Sequence, residues 1–320
     1  MLAAVFSLEG TALTEREDTL FRKADPCGFI LFGRNIETPQ QLKDLISSLK
    51  ECVGWDCPIL IDQEGGRVQR LKSPHWASFP AATTYNGNQK VLKQDMGVLT
   101  QELTEVGINV NCAPVLDMRR EDTHDSIGDR AYASDCEVIV QSASTVIETF
   151  LAQGLTPVIK HLPGQGRATC DSHEKLPRVS ETLECLSESD FVPCQKIAQK
   201  YRTKIWGMVA HVLYEKLDPD LPSTLSHKVL KDIIRDKIGF SGFLVSDDIS
   251  MGALKPYGTV VDRSKLALDA GCDCVLYCAG LYTEMEQLAK SLPPLSDEAL
   301  LRLEQSKRWK HQTQKNRHYL

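Results

Sequence analysis

Residues 156–161 read Thr-Pro-Val-Ile-Lys-His, a short apolar run that ends in two polar side chains. The residues before this run, Cys136–Gln153, carry apolar side chains at helical spacing, and Gly154 stands where a helix commonly ends. A helix that leads into a buried strand is the repeating unit of an α/β fold. The polar end of the strand indicates where function lies, because functional side chains collect at the carboxyl ends of parallel strands.

The same alternation of strand and helix recurs along the whole chain. Eight strands alternating with helices predict one right-handed (β/α)8 barrel of the TIM type, with residues 1–320 as a single domain and a basic tail from about residue 306. The candidate strands are Leu2–Leu8, Gly28–Phe32, Pro58–Asp62, Ile108–Leu116, Thr156–His161, Ile205–His211, Phe243–Asp247 and Cys272–Cys278. The candidate helices are Thr14–Lys23, Pro39–Cys52, Val91–Val106, Cys136–Gln153, Glu184–Tyr201, His227–Lys237, Asp262–Ala270 and Leu281–Ser291.

A doubly wound open sheet is the alternative architecture. That fold carries a Gly-x-Gly-x-x-Gly turn after its first strand, and no such turn follows Leu2–Leu8. The strands also read as near-continuous apolar runs, which is typical of parallel strands buried on both faces. The barrel is therefore favoured.

Composition and charge exclude several classes of partner. Of the 320 residues, 42% are hydrophobic and 25% are charged, which indicates a globular protein with a substantial core. The formal net charge of −6 argues against a general nucleic-acid binder, and the basic run Lys307–Arg317 is interpreted as a solvated tail. No segment approaches the ~20 consecutive apolar residues that cross a bilayer. We expect neither a nucleic-acid nor a membrane partner.

The N-terminus and the cysteines indicate a cytoplasmic protein. Residues 1–10 have no basic segment, and Glu9 ends the apolar run too early for a secretory signal. The eleven cysteines are an odd number scattered along the chain, as expected for free thiols in a reducing compartment. The run Cys272-x-Cys274-x3-Cys278 alternates along an apolar strand and no second pair follows it, so we predict no metal site there.

Polar residues follow five of the candidate strands, at the end where a barrel of this kind has its active site. Their convergence at one rim predicts a polar ligand, because charged groups are rarely buried unless they are paired or bound. They are Asp62-Gln-Glu-Gly-Gly-Arg67 after strand three, Asp117 and Gly128-Asp-Arg130 after strand four, Lys160-His161 after strand five, His211 after strand six, and Ser246-Asp-Asp248 after strand seven.

Taken singly, each of these groups has a structural alternative. A lone aspartate at a strand end is often a helix cap, and a lone histidine such as His211 is more often a hydrogen-bonded core residue. Arg67 and Arg70 could pair with Glu64 to hold their own loop. Only the coincidence of all five sets at one mouth reverses that preference.

The loop after strand five carries a candidate acid/base pair. Residues 160–173 read Lys-His-Leu-Pro-Gly-Gln-Gly-Arg-Ala-Thr-Cys-Asp-Ser-His, and the glycines and proline predict a long irregular loop. Asp171 and His173 lie two residues apart, so a turn can bring the carboxylate to one imidazole nitrogen and support the protonated ring. A surface turn without a role is the alternative.

Four motifs resemble family-3 glycoside hydrolases, and in particular the bacterial single-domain β-N-acetylglucosaminidases of peptidoglycan recycling. They occur in the family's order and, with the flanking segments Phe29–Arg34 and Ala210–Tyr214, extend the resemblance over nearly the whole chain. The motifs are Asp62-Gln-Glu-Gly-Gly-Arg-Val-Gln-Arg70, Gly128-Asp-Arg130, Lys160-His-Leu-Pro-Gly-Gln-Gly with Asp171-Ser-His173, and Val245-Ser-Asp-Asp-Ile-Ser-Met251.

The resemblance implies a role for each matching residue. Asp247 matches the catalytic nucleophile, His173 the acid/base residue and Asp171 its partner. One departure is Gln165, where members commonly have histidine, because glutamine cannot titrate near neutrality. The residues that match groups gripping the terminal sugar are Asp62, Arg70, Arg130, Lys160 and His161, with His211 a weaker candidate.

The resemblance thus implies a retaining exo-glycosidase that releases terminal β-linked N-acetylglucosamine from N-acetylglucosaminyl-anhydromuramyl (peptide) fragments. A glycosyl-Asp247 intermediate would form and break with His173 as acid/base, without metal or cofactor. Transfer to phosphate instead of water stays open, because a histidine acid/base admits an anion more readily than a carboxylate does. Two other classes also stay open, a metal-dependent barrel hydrolase using Lys160, His161, His211 and Asp247, and a non-catalytic sugar-binding barrel.

Overall fold

Eight parallel strands close into a barrel in the computed structural model, which describes residues 1–308. Each strand pairs with its neighbour in the chain, and the first pairs with the last through Ala4 and Val275. This topology confirms the predicted (β/α)8 barrel. The strands are β1 Leu2–Phe6, β2 Pro26–Leu31, β3 Ile59–Ile61, β4 Val110–Asn111, β5 Thr156–Leu162, β6 Trp206–Val209, β7 Phe243–Asp248 and β8 Cys274–Tyr277.

Helices connect the strands and cover the outside of the barrel. Several begin and end where the sequence signals predict, as at Thr38, which caps the helix that has Pro39 at its first position. The helices are α1 Glu15–Ala24, α2 Pro39–Val53, α3 Gln89–Glu105, α4 Cys136–Ala152, α5 Leu183–Ser187, α6 Val192–Tyr201, the π-helical segment Val229–Lys237, α7 Val260–Ala270, α8 Tyr282–Ser291 and α9 Asp297–Ser306. None of the helices within residues 1–308 has the length and apolar character of a membrane span.

Apolar side chains fill the barrel interior beneath the mouth. Val5, Ile30 and Leu60 from the first three strands belong to one buried cluster, and the rings of Trp206 and Phe243 lie 4.5 Å apart within it. Leu295, which precedes α9, and Ala299 and Leu303 of α9 belong to the same cluster. The hydroxyl of Ser306, at the end of α9, accepts a 2.7 Å hydrogen bond from the Trp206 indole. A packed base leaves the opposite end of the barrel to hold the polar groups.

Two predicted elements were wrong in extent. The predicted helix Glu184–Tyr201 is two helices, α5 and α6, because Pro193 lies in the first turn of α6 and cannot continue a helix from residues before it. The predicted strand Ile108–Leu116 pairs regularly only over β4. Pro114 has no N–H to donate, and the chain bridges to β5 again only at Val115.

Helix α9 was not predicted from the sequence at all. It lies against the base of the barrel, and the Ser306 carbonyl accepts a 3.0 Å hydrogen bond from the Thr156 hydroxyl of β5. The predicted basic tail begins at about the residue where α9 ends, and most of that tail lies outside the described residues.

Candidate active site

A cavity opens at the carboxyl ends of the barrel strands. Phe32, Met208 and Leu276 form apolar parts of its wall, and most of the other lining residues are polar. Eight of the nine residues predicted for the site line this cavity, and His211 is the exception. They are Asp62, Arg70, Arg130, Lys160, His161, Asp171, His173 and Asp247.

The floor of the cavity is a chain of alternating charges. The Lys160 ammonium lies 2.9 Å from Asp62 Oδ1 and 2.6 Å from Glu64 Oε1. Arg130 holds the same Glu64 with a bidentate pair of 2.9 Å hydrogen bonds, and Arg70 Nη2 lies 3.2 Å from Asp62 Oδ2. Strands β3 and β5, which lie on either side of β4 in the barrel, therefore bring their terminal charges together at the mouth. We call these five residues the ionic floor.

Pairing fixes the charge of each member of the ionic floor. Burial alone would raise the pKa of Asp62, but Lys160 and Arg70 outweigh it and hold that pKa well below its ordinary value. Burial acts on Glu64 in the same way, and Arg130 and Lys160 nevertheless lower its pKa to about 2. Burial by itself would lower the pKa of Lys160, yet the two carboxylates raise it above its ordinary value. Both acids and the amine are therefore charged at neutral pH.

The predicted alternative that Arg67 and Arg70 both pair with Glu64 is wrong. Arg67 bonds to Asp129 at 2.8 Å and Arg70 to Asp62, whereas Glu64 pairs with Arg130 and Lys160. Glu64 is only 7% exposed at its side chain, so an uncompensated charge there would be costly. Sequence reasoning did not assign Glu64 to the site, since its partners are distant along the chain.

His161 is held by an aspartate that the sequence placed at the rim but did not assign. Asp117 Oδ2 lies 2.7 Å from His161 Nδ1, and Asp117 Oδ1 accepts hydrogen bonds from the backbone N–H groups of His161 and Gln165. This carboxylate orients the imidazole and leaves its Nε2 edge for the cavity. Its position directly after the predicted strand Ile108–Leu116 is the signal that could have identified it.

Two adjacent carboxylates at the end of β7 have different surroundings. Asp248 is saturated, with hydrogen bonds from the Ser250 N–H at 3.0 Å, the Ser250 hydroxyl at 2.6 Å and the Cys278 N–H at 3.1 Å. Within residues 1–308 Asp247 accepts one hydrogen bond, from the Asp248 N–H at 2.8 Å, and it lines the cavity. Only Asp247 therefore has a carboxylate oxygen free to react.

The ionisation of the two aspartates differs in the same sense. Burial alone would raise the pKa of Asp247, but the imidazoles of His211 and His161 and the Asp248 N–H outweigh it and lower that pKa. Burial dominates at Asp248 and raises its pKa. The surroundings of Asp247 therefore favour the carboxylate anion more than those of Asp248 do, as a carboxylate nucleophile requires.

His211 is fully buried and engaged at both ring nitrogens. Nε2 lies 2.9 Å from the Asp248 carbonyl oxygen, and Nδ1 lies 2.7 Å from the Thr224 hydroxyl. Burial lowers the pKa of His211, so its neutral ring donates from Nε2 to the carbonyl and accepts at Nδ1. His211 thus supports the backbone beside Asp247, and no ring nitrogen is left for a ligand.

The predicted acid/base pair forms at the tip of the loop after β5. Asp171 Oδ1 lies 2.8 Å from His173 Nδ1 and accepts a second hydrogen bond from the His173 N–H at 2.9 Å. The His173 side chain is 70% exposed, so its Nε2 is accessible. Burial opposes ionisation of Asp171, but its bonds to His173 outweigh it and lower its pKa. The carboxylate can therefore support a protonated imidazole.

These groups together can bind a polyhydroxylated molecule, attack it with a carboxylate, and transfer a proton through an imidazole. Hydroxyl groups suit the ionic floor, since hydrogen bonds to charged partners are stronger than neutral ones. The attacking and proton-transferring groups come from different strands at one barrel mouth, as catalytic residues of TIM barrels do. The fold and the site define a carbohydrate-active barrel enzyme.

Comparisons with known proteins agree with that class. Residues 6–307 match the model of the glycosyl hydrolase family 3 N terminal domain, and the chain belongs to this family. A β-hexosaminidase of Alkalilimnicola ehrlichii is 35% identical over 311 residues, which cover 93% of this chain and 87% of the relative. The predicted family and enzyme class are confirmed: the chain is a family-3 glycoside hydrolase of the β-hexosaminidase group.

Solved structures share the barrel. NagZ from Neisseria gonorrhoeae, in complex with N-trifluoroacetyl-D-glucosamine, is 28% identical with a TM-score of 0.85, over 96% of this chain and 90% of that one. The same protein has also been solved with a zinc ion. A β-N-acetylglucosaminidase from Paenibacillus is 27% identical with a TM-score of 0.87, over 95% of this chain and 60% of its own length.

Proposed function

We propose that this chain hydrolyses terminal β-linked N-acetylglucosamine with retention of configuration. The observation that carries the proposal is one cavity lined both by Asp247, a carboxylate with a free oxygen, and by the Asp171–His173 pair. The names of the relatives supply the sugar, because they include β-hexosaminidases and a NagZ solved with an N-acylated glucosamine. The ionic floor supplies the hydrogen-bonding partners for its hydroxyl groups.

In the first step, an Asp247 carboxylate oxygen attacks the anomeric carbon while the bond to the leaving-group oxygen breaks. His173, protonated on the exposed edge of its ring, gives that proton to the departing oxygen. Asp171 stabilises the imidazolium by accepting from its Nδ1–H. The products of this step are the free alcohol, a glycosyl-Asp247 ester and neutral His173.

In the second step, His173 takes a proton from a water molecule that attacks the same carbon from the opposite side to Asp247. The ester bond breaks, Asp247 leaves as a carboxylate, and the sugar is released with its original configuration. The low pKa of Asp247 favours its departure as an anion. Both steps therefore use the same two side chains, and the imidazole alternates between acid and base.

The ionic floor binds the terminal sugar in this proposal. Lys160 and Arg70 reach the cavity while already paired to Asp62, so their positions are set before substrate arrives. Such preorganised charges lower the entropic cost of orienting hydroxyl groups. His161 completes the set, oriented by Asp117 as described above. Removing a floor residue should accordingly weaken binding and the first step together.

The physiological substrate that we propose is an N-acetylglucosaminyl-anhydromuramyl fragment, with or without its peptide, hydrolysed in the cytoplasm during peptidoglycan recycling. Support comes from the resemblance to the bacterial β-N-acetylglucosaminidases, whose motifs lie at the cavity. The cavity is open on the side of His173, which leaves room for a large leaving group.

A direct assay compares p-nitrophenyl N-acetyl-β-D-glucosaminide with the matching β-glucoside. We expect faster cleavage of the N-acetylglucosaminide, and a β-anomeric product detected first by proton NMR. Faster cleavage of the glucoside would refute the substrate class, and an α-anomer would refute retention. Repeating the reaction in phosphate buffer separates hydrolysis from phosphorolysis, since only the latter yields a sugar phosphate.

The two other classes are tested by the same preparation. Within residues 1–308 no three metal-binding side chains lie together as a ligand set, and His211 is occupied by protein partners. We therefore expect full activity after dialysis against a chelator, whereas a metal-dependent hydrolase would lose it. A non-catalytic sugar-binding barrel would release no nitrophenol in either buffer.

A further inference from the structure

The loop tip that carries the acid/base pair is attached to the segment that follows the nucleophile. The Gly252 N–H donates to the His173 carbonyl oxygen at 3.0 Å, and the Ala253 N–H donates to the Ser172 carbonyl oxygen at 3.1 Å. Gly252 lies five residues after Asp247, just beyond β7. The backbone of His173 is therefore bonded directly to the backbone that holds Asp247.

Gly252 leaves no room for a side chain at this junction. A Cβ placed there would overlap the His173 carbonyl oxygen and would lie 2.7 Å from the Glu174 carbonyl oxygen. Both obstacles are backbone atoms, so a larger residue would move the loop rather than rotate a side chain. The φ angle of Gly252 lies outside the left-handed region. The glycine is therefore needed for the close approach of the two backbones and not for an unusual backbone conformation.

The two sides of this junction are otherwise firmly held. Asp248 fixes the turn before Gly252 through its bonds to Ser250. On the loop, Ser172 is 3% exposed, and its hydroxyl accepts a 3.3 Å hydrogen bond from the Gln165 amide. Since both sides are anchored, the distance between them at Gly252 determines where the His173 ring stands.

We propose that Gly252 is a positioning residue that sets the placement of His173 relative to Asp247. Its lack of a side chain lets the loop approach closely enough for the imidazole to serve the anomeric carbon that Asp247 attacks. The inference rests on the role proposed for His173. A displacement of about 1 Å in a catalytic group can reduce the rate roughly a hundredfold, so the effect is measurable.

The test is Gly252→Ala, with Gly10→Ala as the matched control because a Cβ at Gly10 meets nothing within 4 Å. On p-nitrophenyl N-acetyl-β-D-glucosaminide, the nitrophenolate leaves without an acid, so the first step of Gly252→Ala should stay fast. The second step needs the displaced base and should slow, which gives a burst of nitrophenol and a steady rate roughly ten- to a hundredfold lower. Gly10→Ala should match the wild type.

Added azide distinguishes displacement of the base from general damage. Azide is already an anion, so it attacks the glycosyl-Asp247 carbon without a base, displaces the carboxylate and forms a β-glycosyl azide. It should restore the steady rate of Gly252→Ala. If Gly252→Ala loses the burst and the steady rate to the same extent, and azide does not restore the rate, the inference is wrong. Kinetics equal to those of Gly10→Ala would also overturn it.

Two further variants keep the result interpretable. His173→Ala is measured in parallel. If His173→Ala shows no burst, the proposed role of His173 is wrong. If His173→Ala shows a burst and Gly252→Ala behaves like wild type, only the role proposed for Gly252 is wrong. Should Gly252→Ala not fold, Ser172→Ala loosens the same tip by removing the Gln165 bond. It should show the same burst and azide rescue with a smaller loss of steady rate, and unchanged kinetics would contradict the inference.

Discussion

The ionic floor and the loop tip hold their charged groups in opposite ways. In the floor, Lys160 is 2% exposed and bonded to two carboxylates, which are in turn bonded to arginines. At the tip, His173 is 70% exposed and has one carboxylate partner, Asp171. The floor stands on strand ends of the barrel, whereas the tip stands on an irregular loop attached to Gly252.

Because of this difference, substitutions in the two regions should affect stability and catalysis to different extents. Breaking a buried, paired charge leaves its partners uncompensated, so changes in the floor should lower stability as well as activity. An exposed ion pair contributes little to stability, so changes at the tip should alter catalysis while the fold is retained. A group that alternates between acid and base also needs access to water, which the exposed ring of His173 has and Lys160 does not.

The largest expected effect comes from Asp247→Ala. Loss of the nucleophile should reduce kcat by roughly 10⁴-fold or more. The thermal midpoint should change little, because Asp247 accepts a single hydrogen bond from the described part of the chain, that of the Asp248 N–H. The matched comparison is Asp248→Asn. The Asp248 carboxylate bonds to Ser250 and Cys278, so its replacement should affect stability more than the chemical step. A reversed pattern would exchange the roles of the two aspartates.

The next effect is that of His173→Ala at the tip. With natural disaccharides the loss should be roughly 10²–10⁴-fold, because the leaving sugar needs a proton. With an activated nitrophenyl substrate the first step should survive, and glycosyl-enzyme should accumulate with a low apparent KM. Stopped-flow detection of the burst and intact-protein mass spectrometry measure both features. Undiminished turnover of the disaccharide would mean that the loop has no acid/base role.

In the floor, Glu64→Gln should lower the free energy of unfolding by about 3–5 kcal/mol, since Lys160 and Arg130 lose a buried partner. His173→Ala should leave the thermal midpoint within about 2 °C of wild type, because its ion pair is exposed. Differential scanning calorimetry of the two variants compares the floor with the tip directly. Equal midpoints would remove the distinction between them.

The loss of folding stability in acid should depend on Glu64. Because the pKa of Glu64 falls from its ordinary value of 4.5 to about 2 on folding, its contribution is complete above pH 4.5 and is lost as pH falls toward 2. Wild type should therefore lose stability over that window faster than Glu64→Gln, which has no carboxyl group at this position. Unfolding curves measured from pH 5 to pH 2 provide the check, and parallel losses in both proteins would contradict it.

The smallest effect is expected for Asp171→Ala. The imidazole of His173 remains but loses the acceptor at Nδ1, so the rate should fall about tenfold and the burst should be weaker than in His173→Ala. The informative measurement is the burst and its rescue by azide, because both arise only where the second step has lost an effective base. A rate that falls without a burst and without rescue would show that Asp171 does not act through the ring.

Local sequence signals predicted the barrel and most of the site. Apolar runs ending in Asp62, Lys160 and Asp247 identified strand ends, because strand periodicity and punctuation are local properties. The break between α5 and α6 was missed although Pro193 was visible, because Asp190 in that break turns inward to Arg167, a partner distant in the chain. Helical spacing alone cannot show such a long-range pair.

The partners of the site residues were the part that sequence could not supply. Glu64 was expected to serve its own loop, and it instead bonds to Lys160 near the end of β5 and to Arg130 in the loop after β4. His211 was a weak candidate for binding, and the structure bonds it to Thr224 and the Asp248 carbonyl. These pairs form when the barrel closes and brings distant residues together, so the spacing of residues along the chain does not predict them.

Trapping the covalent bond that we propose between Asp247 and the sugar is a direct test of the mechanism. A 5-fluoro-N-acetylglucosaminyl fluoride should slow the second step, so that the glycosyl-enzyme accumulates. Proteolysis and tandem mass spectrometry of the trapped protein then locate the added mass. We expect one added sugar on Asp247, absent from Asp247→Ala. A sugar on Asp248, or turnover without any covalent adduct, would rule out Asp247 as the nucleophile.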